Sequence, residues 1–540
     1  MKKRLLTIIG IVLMAAALFT VIHFIWSDLY IAEFDADNAE TAMWARSVLE
    51  TGKLVSSDYR RYNMLLPIDG NLFFAVFVKA FGVGITALRA GYTALAVIFA
   101  ALLVLALRAC IPSWDLAMIG GGLIMLLTTA TEVLRDIIWA HTVYYGLSIF
   151  CILMCIGSLG LYLRGKRILG GILFFLSALF GSINTSVVML FTTLPLAAAL
   201  FLEPINQERP SEGFMKVPLL LICAAMVCGL GLHEVLCSGV QTAYAGGYML
   251  LSPASDWVEN LRLLPGRWLA IFLDLPAASE PIGKKTVLRL GAAIVLSVLP
   301  FFSFAALKDT KSRLTRIVIL YHWILCAVLL FFFVFGVISN SSHRLIPLYF
   351  SCLFVDWLTM MWMLPKRGFM QTAGAVSACL TALFAGLTGF TVTTKPADLS
   401  IWYNDNAIYN ILETHGLMHG YSANYWYTNS VTVLSESKIN VLGVFVWDDG
   451  FAIANHQNRT AWYEEVPTDE KTFLICKEYV VDEKPWLEEG VVEKYYAWQF
   501  TPAFQSTEGY YILVYDHDVI AEDLREKNAF GDAGAPLQEN

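Results

Sequence analysis

Apolar runs separated by short polar breaks fill the chain as far as residue 393. They cover 5–26, 86–107, 116–131, 143–163, 168–181, 187–202, 217–235, 287–307, 317–338, 345–363 and 369–393. Most approach the roughly 20 residues that an α-helix needs to cross a bilayer, so the pattern predicts eleven crossings. The least regular part is 168–202, where two short runs flank GSINTS; a single long span there would reverse the orientation of everything downstream. From about Thr394 the apolar runs shorten and Asp, Glu, Asn and Tyr become frequent. NVLGVFVW (440–447), TFLICKEYVV (472–481) and YYILVYDHDV (510–519) read as strands, and IWYNDNAIYNILETHG (401–416) as a helix ending at Gly416. The expected fold is a polytopic, all-α membrane protein of about 11 transmembrane helices over 1–393, with a small extracytoplasmic α/β domain over 394–540. There is no repeat of solenoid length and no pair of broken helices in matching halves.

Charge orients the predicted helices. With the N-terminus inside, the inner segments 1–4, 108–115, 164–167, 203–216, 308–316 and 364–368 carry fifteen Lys and Arg residues. The short outer loops 132–142, 182–186 and 339–344 carry only Arg135 and Arg344. This asymmetry follows the positive-inside rule and places 394–540 outside the cytoplasm. Composition agrees with a membrane protein: 57% of residues are hydrophobic and only 15% charged, with a mean hydropathy of +0.60. The first run follows Lys2, Lys3 and Arg4 and has no small-residue cleavage site before Ser27, so it is read as an uncleaved first helix. The ten cysteines are scattered singly and mostly inside apolar runs. Cys237 and Cys476 fall outside the runs and could pair, but no disulfide framework is apparent. The chain lacks zinc-ligand spacing, a glycine-rich phosphate loop and a basic stripe, so nucleotide and nucleic-acid partners are not expected.

The first outer loop, 27–85, is far longer than a connector needs. It opens with Glu33, Asp35, Asp37 and Glu40. Asp37 with Glu40 three residues on reads as a capping box, followed by Ala42, Ala45 and Leu49 on one face and Gly52 at the end. Capping explains Asp37 and Glu40 but leaves Glu33 and Asp35 without a role. A capped helix start also holds a carboxylate at a fixed height above a membrane.

DADNAETAMWARSVLETGKL, LLPIDGNLFF and KAFGVGITALRAG resemble the start of the GT-C class of polyprenyl-phosphate-sugar glycosyltransferases, which includes protein O-mannosyltransferases and the lipid A aminoarabinose transferase. Asp37, Gly52, Pro67, Phe81, Gly82 and Arg89 fall at comparable spacing, and the resemblance is clearest over about residues 5–165. It implies an inverting transfer of a sugar from a polyprenyl-phosphate donor to a lipid, glycan or protein acceptor of the cell envelope, on the outer face of the membrane. Asn38 stands where many relatives have a second acid, so both Asp35 and Asp37 are candidates for the general base. The two could also bind a divalent metal together; some relatives work without one.

Arginine and histidine candidates lie in the other outer segments. Arg89 belongs to the resembling stretch. EVLRDIIWAHTVYYG (132–146) offers Asp136 and His141 as groups facing the catalytic loop, or as parts of an ordinary solvated loop. SNSSHRLIPLYF (339–350) resembles a late arginine-then-proline segment of these enzymes, with Leu345 where a tyrosine often follows. His343 and Arg344 would then hold the donor phosphate, the alternative being an arginine that snorkels to lipid headgroups. Ser182, Asn184 and Thr185 read best as a turn. Tyr421, Tyr425, Trp426 and Tyr427 could stack on sugar rings but are more ordinarily core residues. Two rival functions remain: a transporter or flippase of lipid-linked sugars, and a non-catalytic membrane scaffold. A transporter would carry ionisable groups inside its spans, where this chain has little beyond His322 and Asp356.

Overall fold

The computed structural model describes residues 2–60, 66–68, 70–142, 144–203, 216–238, 240, 250–273, 283–338, 341–454, 457–464, 470–501 and 506–527. The chain divides into two compact units. A helical unit comprises Met1–Ile25, Thr93–Val235 and Gly246–Lys395, and a mixed unit comprises Trp26–Tyr92, Leu236–Ala245 and Pro396–Asn540.

Among the described residues, eight helices are long and apolar enough to cross a membrane: Arg4–Trp26, Ile85–Cys110, Tyr145–Leu163, Lys216–Cys237, Lys284–Asp309, Arg313–Phe335, Ser342–Met363 and Phe369–Thr394. The protein is a multi-pass membrane protein. The remaining three predicted runs are helical but shorter. Trp114–Leu127 is followed by Glu132–Trp139 at a bend of 112°, and Arg167–Ile183 and Val187–Leu202 are short apolar helices. The break after Ile183 has a local cause. Asn184 donates from Nδ2 to the Phe180 carbonyl at 3.0 Å and Ser182 donates from Oγ to Ala178 at 2.8 Å, both turned back onto the preceding helix turn. Gly229 packs against this break; a Cβ there would meet the Ser182 carbonyl carbon at 2.8 Å. GSINTS is thus a helix junction, as the simpler reading had it.

Two helices of this unit go beyond the predicted runs. The segment 132–142 is not a loop at its start: Thr131 accepts from the Leu134 amide at 3.4 Å and caps the helix Glu132–Trp139. The long stretch between the runs ending at 235 and beginning at 287 also holds a helix, Trp257–Phe272, which contains Pro265. Its apolar stripe is too short to register as a crossing. Inside the bundle, His322 shares a 2.9 Å hydrogen bond with Ser351, and Asp356 accepts from the Cys352 thiol at 3.6 Å. All ten cysteines are free, Cys237 and Cys476 included.

Among the described residues the mixed unit has eight strands: β1 (Tyr59–Arg60), β2 (His419–Ser422), β3 (Asn440–Trp447), β4 (Gly450–Ile453), β5 (Asn458–Arg459), β6 (Thr472–Lys477), β7 (Val491–Thr501) and β8 (Ser506–Tyr515). Six form one sheet in the order β4-β3-β2-β6-β8-β7, and β1 pairs with β5. β2 is parallel to both β3 and β6, with Tyr421 opposite Leu442 on one side and Leu474 on the other. Val441, Leu442 and Val444 of β3 and Phe473–Cys476 of β6 are buried. These near-continuous apolar runs suit parallel strands covered on both faces. The predicted strand 440–447 matches β3. The predicted strand 472–481 ends at Lys477, because Glu478–Glu483 is helical, and the helix expected over 401–416 is two short ones, Ser400–Tyr403 and Ile408–Thr414.

The acidic helix of the first long loop belongs to this unit. It runs Ala36–Thr51 and stops at Gly52, whose φ of +66° is the left-handed value that glycine adopts without strain. Trp44 anchors it, only 2% exposed, donating from its indole to the Leu54 carbonyl and packing on Tyr59, which meets Trp462. A polar clasp closes the helix's far end. Glu50 accepts from Arg46, Arg459 and Trp462, and Arg459 also reaches Asp58 at 2.8 Å. Losing a buried tryptophan typically costs about 3–5 kcal/mol, whereas partly exposed ion pairs contribute about 1 kcal/mol or less. Trp44 therefore sets the helix's position and the clasp trims it.

Candidate active site

The start of this helix separates the two aspartates. Asp35, in extended backbone with φ −141°, is the N-cap; its Oδ1 accepts from the amides of Asp37 at 2.9 Å and Asn38 at 3.1 Å. Asn38 completes the capping box by accepting from the Asp35 amide at 2.8 Å. The box expected at Asp37 and Glu40 is thus displaced by two residues, because the helix begins at Ala36. Asp35 does the capping, which leaves the Asp37 carboxylate available for something else.

Asp37 faces a tyrosine 388 positions away: the Tyr425 hydroxyl donates to Asp37 Oδ1 at 2.5 Å. Gln457 Nε2 donates to the same Tyr425 oxygen at 2.5 Å, and Gln457 Oε1 accepts from Asn429 at 3.0 Å. Each proton thus has one direction to go, from Asn429 through Gln457 and Tyr425 to Asp37. Gln457 is buried and holds a φ of +51°, uncommon for a residue with a side chain. Burial, and then the neighbouring Asp37 and Glu40, push the Tyr425 hydroxyl well above its ordinary range, so it stays protonated as a donor. Asp37 Oδ2 has no hydrogen-bond partner among the described residues. The result is a half-buried carboxylate with one oxygen fixed and the other open to accept a proton.

Topology explains why Tyr425 is there. It follows β2, the central parallel strand, whose neighbours β3 and β6 lie on opposite sides. The loop leaving the carboxyl end of such a strand sits at a switch point, where open α/β sheets form their binding crevices. The aromatic cluster of that loop has two fates. Tyr421 and Tyr427 are core residues, whereas Tyr425 spends its hydroxyl on Asp37. Gln457 escaped the sequence reading because nothing in its neighbourhood marks it.

Arg89 lies in the same unit but is occupied. Its Nη2 donates to the Ser27 carbonyl at 2.9 Å, and its guanidinium lies 5.8 and 5.9 Å from the rings of Trp26 and Tyr30. No ion pair joins it to Asp37. In the helical unit, His141, His343 and Arg344 come together: both His141 and Arg344 lie within electrostatic reach of the His343 ring. His343 shares a 2.6 Å hydrogen bond with Ser341 and packs on Tyr145, and Arg344 Nη1 donates to the Val337 carbonyl at 3.0 Å. Asp136 contributes its backbone, accepting from the His141 amide at 2.6 Å. Residues 339–340 of that turn lie outside the described residues. Asp35 Oδ1 is committed to the cap. Among the described residues no three His, Cys, Asp or Glu converge.

No family model matches the chain, and no curated protein matches it. Among solved structures, the chain is similar to ArnT from Cupriavidus metallidurans in the apo state. The TM-score is 0.47 and the identity 10%, over 93% of this chain and 97% of that one. The case for the site rests on the chain's own geometry.

Proposed function

We propose that the protein is a membrane glycosyltransferase of the GT-C kind, moving a sugar from a polyprenyl-phosphate donor to a cell-envelope acceptor at the outer face of the membrane. The observation that carries this reading is the Asn429–Gln457–Tyr425–Asp37 chain of hydrogen bonds, which orients one carboxylate and leaves Oδ2 open. Asp37 Oδ2 takes the proton of an acceptor hydroxyl as its oxygen attacks the anomeric carbon. The bond from that carbon to the phosphate oxygen breaks, and the lipid phosphate leaves with the electron pair. Attack opposite the leaving group inverts the anomeric configuration. Arg344, with His343 and His141, is the candidate group for a phosphate, because a guanidinium can give it two parallel hydrogen bonds. In this reading the N-terminus is cytoplasmic and the mixed unit extracytoplasmic, where a membrane-bound donor and its acceptor meet.

The test is incubation of the purified full-length protein with radiolabelled polyprenyl-phosphate sugars and a membrane extract. Wild type should label an acceptor and Asp37→Asn should not. Donor translocated across vesicles without a labelled product would make the protein a transporter instead.

A further inference from the structure

The helical unit holds a polar cavity whose lining includes neither His343 nor Arg344. Arg164, Ser312 and Arg313 line it together with Gly160, Leu163 and Leu314, and it measures about 380 Å³. That falls within the roughly 300–1,000 Å³ of ligand pockets. Ala109, Arg164, Ser312, Arg313 and Leu314 belong to the segments 108–115, 164–167 and 308–316, three of the basic breaks, and Gly160 and Leu163 to the end of the helix before Arg164.

Some cations of the basic breaks are neutralised by acids. Arg316 pairs with the buried Glu203 at 2.6 Å, and Lys366 pairs with Asp309 at 2.9 Å. Arg108 and Arg164 have no carboxylate partner among the described residues. Arg164 Nη2 donates to the carbonyls of Arg108 and Ala109. Arg108 donates to Ile111 at 3.3 Å and lies 5.4 Å from the Trp114 ring. Arg108 lies within electrostatic reach of the Arg164 guanidinium, so two like charges adjoin at this corner. Ser312 adds a hydroxyl. Its oxygen accepts from the Thr315 amide at 3.3 Å, leaving its own proton to give.

We infer that this cavity binds a phosphate group, with Arg164 as its principal ligand and Ser312 as a hydrogen-bond donor. Two guanidiniums without an acid between them are stable beside a shared anion, and arginine matches phosphate oxygens two at a time. The volume exceeds that of a lone phosphate ion, and basic pockets between membrane helices commonly take phospholipid headgroups. An anionic phospholipid and free phosphate present the same group.

Native mass spectrometry and thermal melting of the purified full-length protein would test this. Phosphatidylglycerol, phosphatidylcholine and inorganic phosphate are the added probes. Retention of phosphatidylglycerol over phosphatidylcholine, weakened about fivefold in Arg164→Gln but not in Arg367→Gln, supports a lipid headgroup. Arg367 is an exposed cation of a neighbouring basic break outside the cavity. Stabilisation by inorganic phosphate that Arg164→Gln abolishes supports a soluble ligand. Equal weakening in both variants, or no preference for either anion, overturns the site. Arg164 is exposed, so its replacement should leave the fold intact, checked by an unchanged elution profile.

Discussion

Two polar regions of this protein are built in opposite ways. At Asp37, four side chains from three distant stretches of chain (37, 425–429 and 457) form one directed relay. At Arg344, the guanidinium reaches Val337 and His343 reaches Ser341, bonds that span only a few residues of chain. A local arrangement keeps its geometry as long as the turn exists, whereas a long-range one demands that the whole mixed unit fold around it. Such cost in chain ordering is what a site needs when one carboxylate must be aimed, and more than a site needs if it only attracts a phosphate. The contrast makes Asp37 the place where small changes should matter most.

The largest effect is expected there. Asp37→Asn should lower transfer by about 10²–10⁴-fold, the usual contribution of a positioned base, with folding retained because Asp35 holds the cap. Asp35→Ala should do the reverse, lowering stability by about 0.5–2 kcal/mol while leaving the labelled product. Near wild-type transfer by Asp37→Asn would dissolve the contrast between the two regions.

Tyr425→Phe comes next. It removes a hydrogen bond to a charged group, and such bonds contribute about 1.5–3 kcal/mol, so kcat should fall about tenfold to a hundredfold with KM little changed. Gln457→Leu acts through Tyr425 and should lower kcat in the same direction by a smaller factor.

These partners show where the sequence is legible and where it is not. β3 could be read because six of its eight residues are apolar, three of them valine, between turn signals that admit one element. The membrane helices could be read because a bilayer imposes a length. The helix start was misplaced by two residues because two capping frames overlap, Asp35 with Asn38 and Asp37 with Glu40, and only packing around Trp44 and Tyr425 chooses between them. Tyr425 was visible as one aromatic among four, but a hydroxyl's partner 388 positions away leaves no local trace. Gln457 left none at all. Asp136 and His141 look like loop residues in sequence, since nothing there announces that Thr131 would cap a helix that contains Asp136 and ends just before His141.

The Glu50 clasp tests whether the long-range build of the mixed unit depends on ionised acids. Burial raises the Glu50 carboxyl, but the hydrogen bonds of Trp462, Arg46 and Arg459 outweigh it and hold the group below its ordinary 4.5. Asp58 is held below its ordinary 3.8, where burial is outweighed by the hydrogen bonds of Arg459 and Ser56. A depressed folded-state value adds stability that is present above the unfolded value and lost as pH falls through the folded one. Melting temperature should therefore drop as pH falls below about 4.5, and less so in Glu50→Gln. Both acids are about a third exposed, so the loss should be about 1 kcal/mol or less. A melting curve flat across that window would mean the clasp adds nothing beyond Trp44.

Arg344→Lys should produce the smallest change and sharpen the other half of the comparison. Lysine preserves the positive charge and a long apolar stem, so the turn and any contact with lipid headgroups should survive. It offers a point charge in place of a planar fork, so a phosphate gripped by two parallel hydrogen bonds loses one of them. A single net hydrogen bond contributes about 0.5–1.5 kcal/mol, which predicts a donor KM raised about threefold with kcat nearly unchanged. Arg344 Nη1 already serves Val337, so the fork is pre-aimed and its loss should be felt in binding instead of in chemistry. The measurement is transfer at limiting against saturating donor. Unchanged donor dependence would assign Arg344 to the headgroups, and the leaving phosphate would need a different partner.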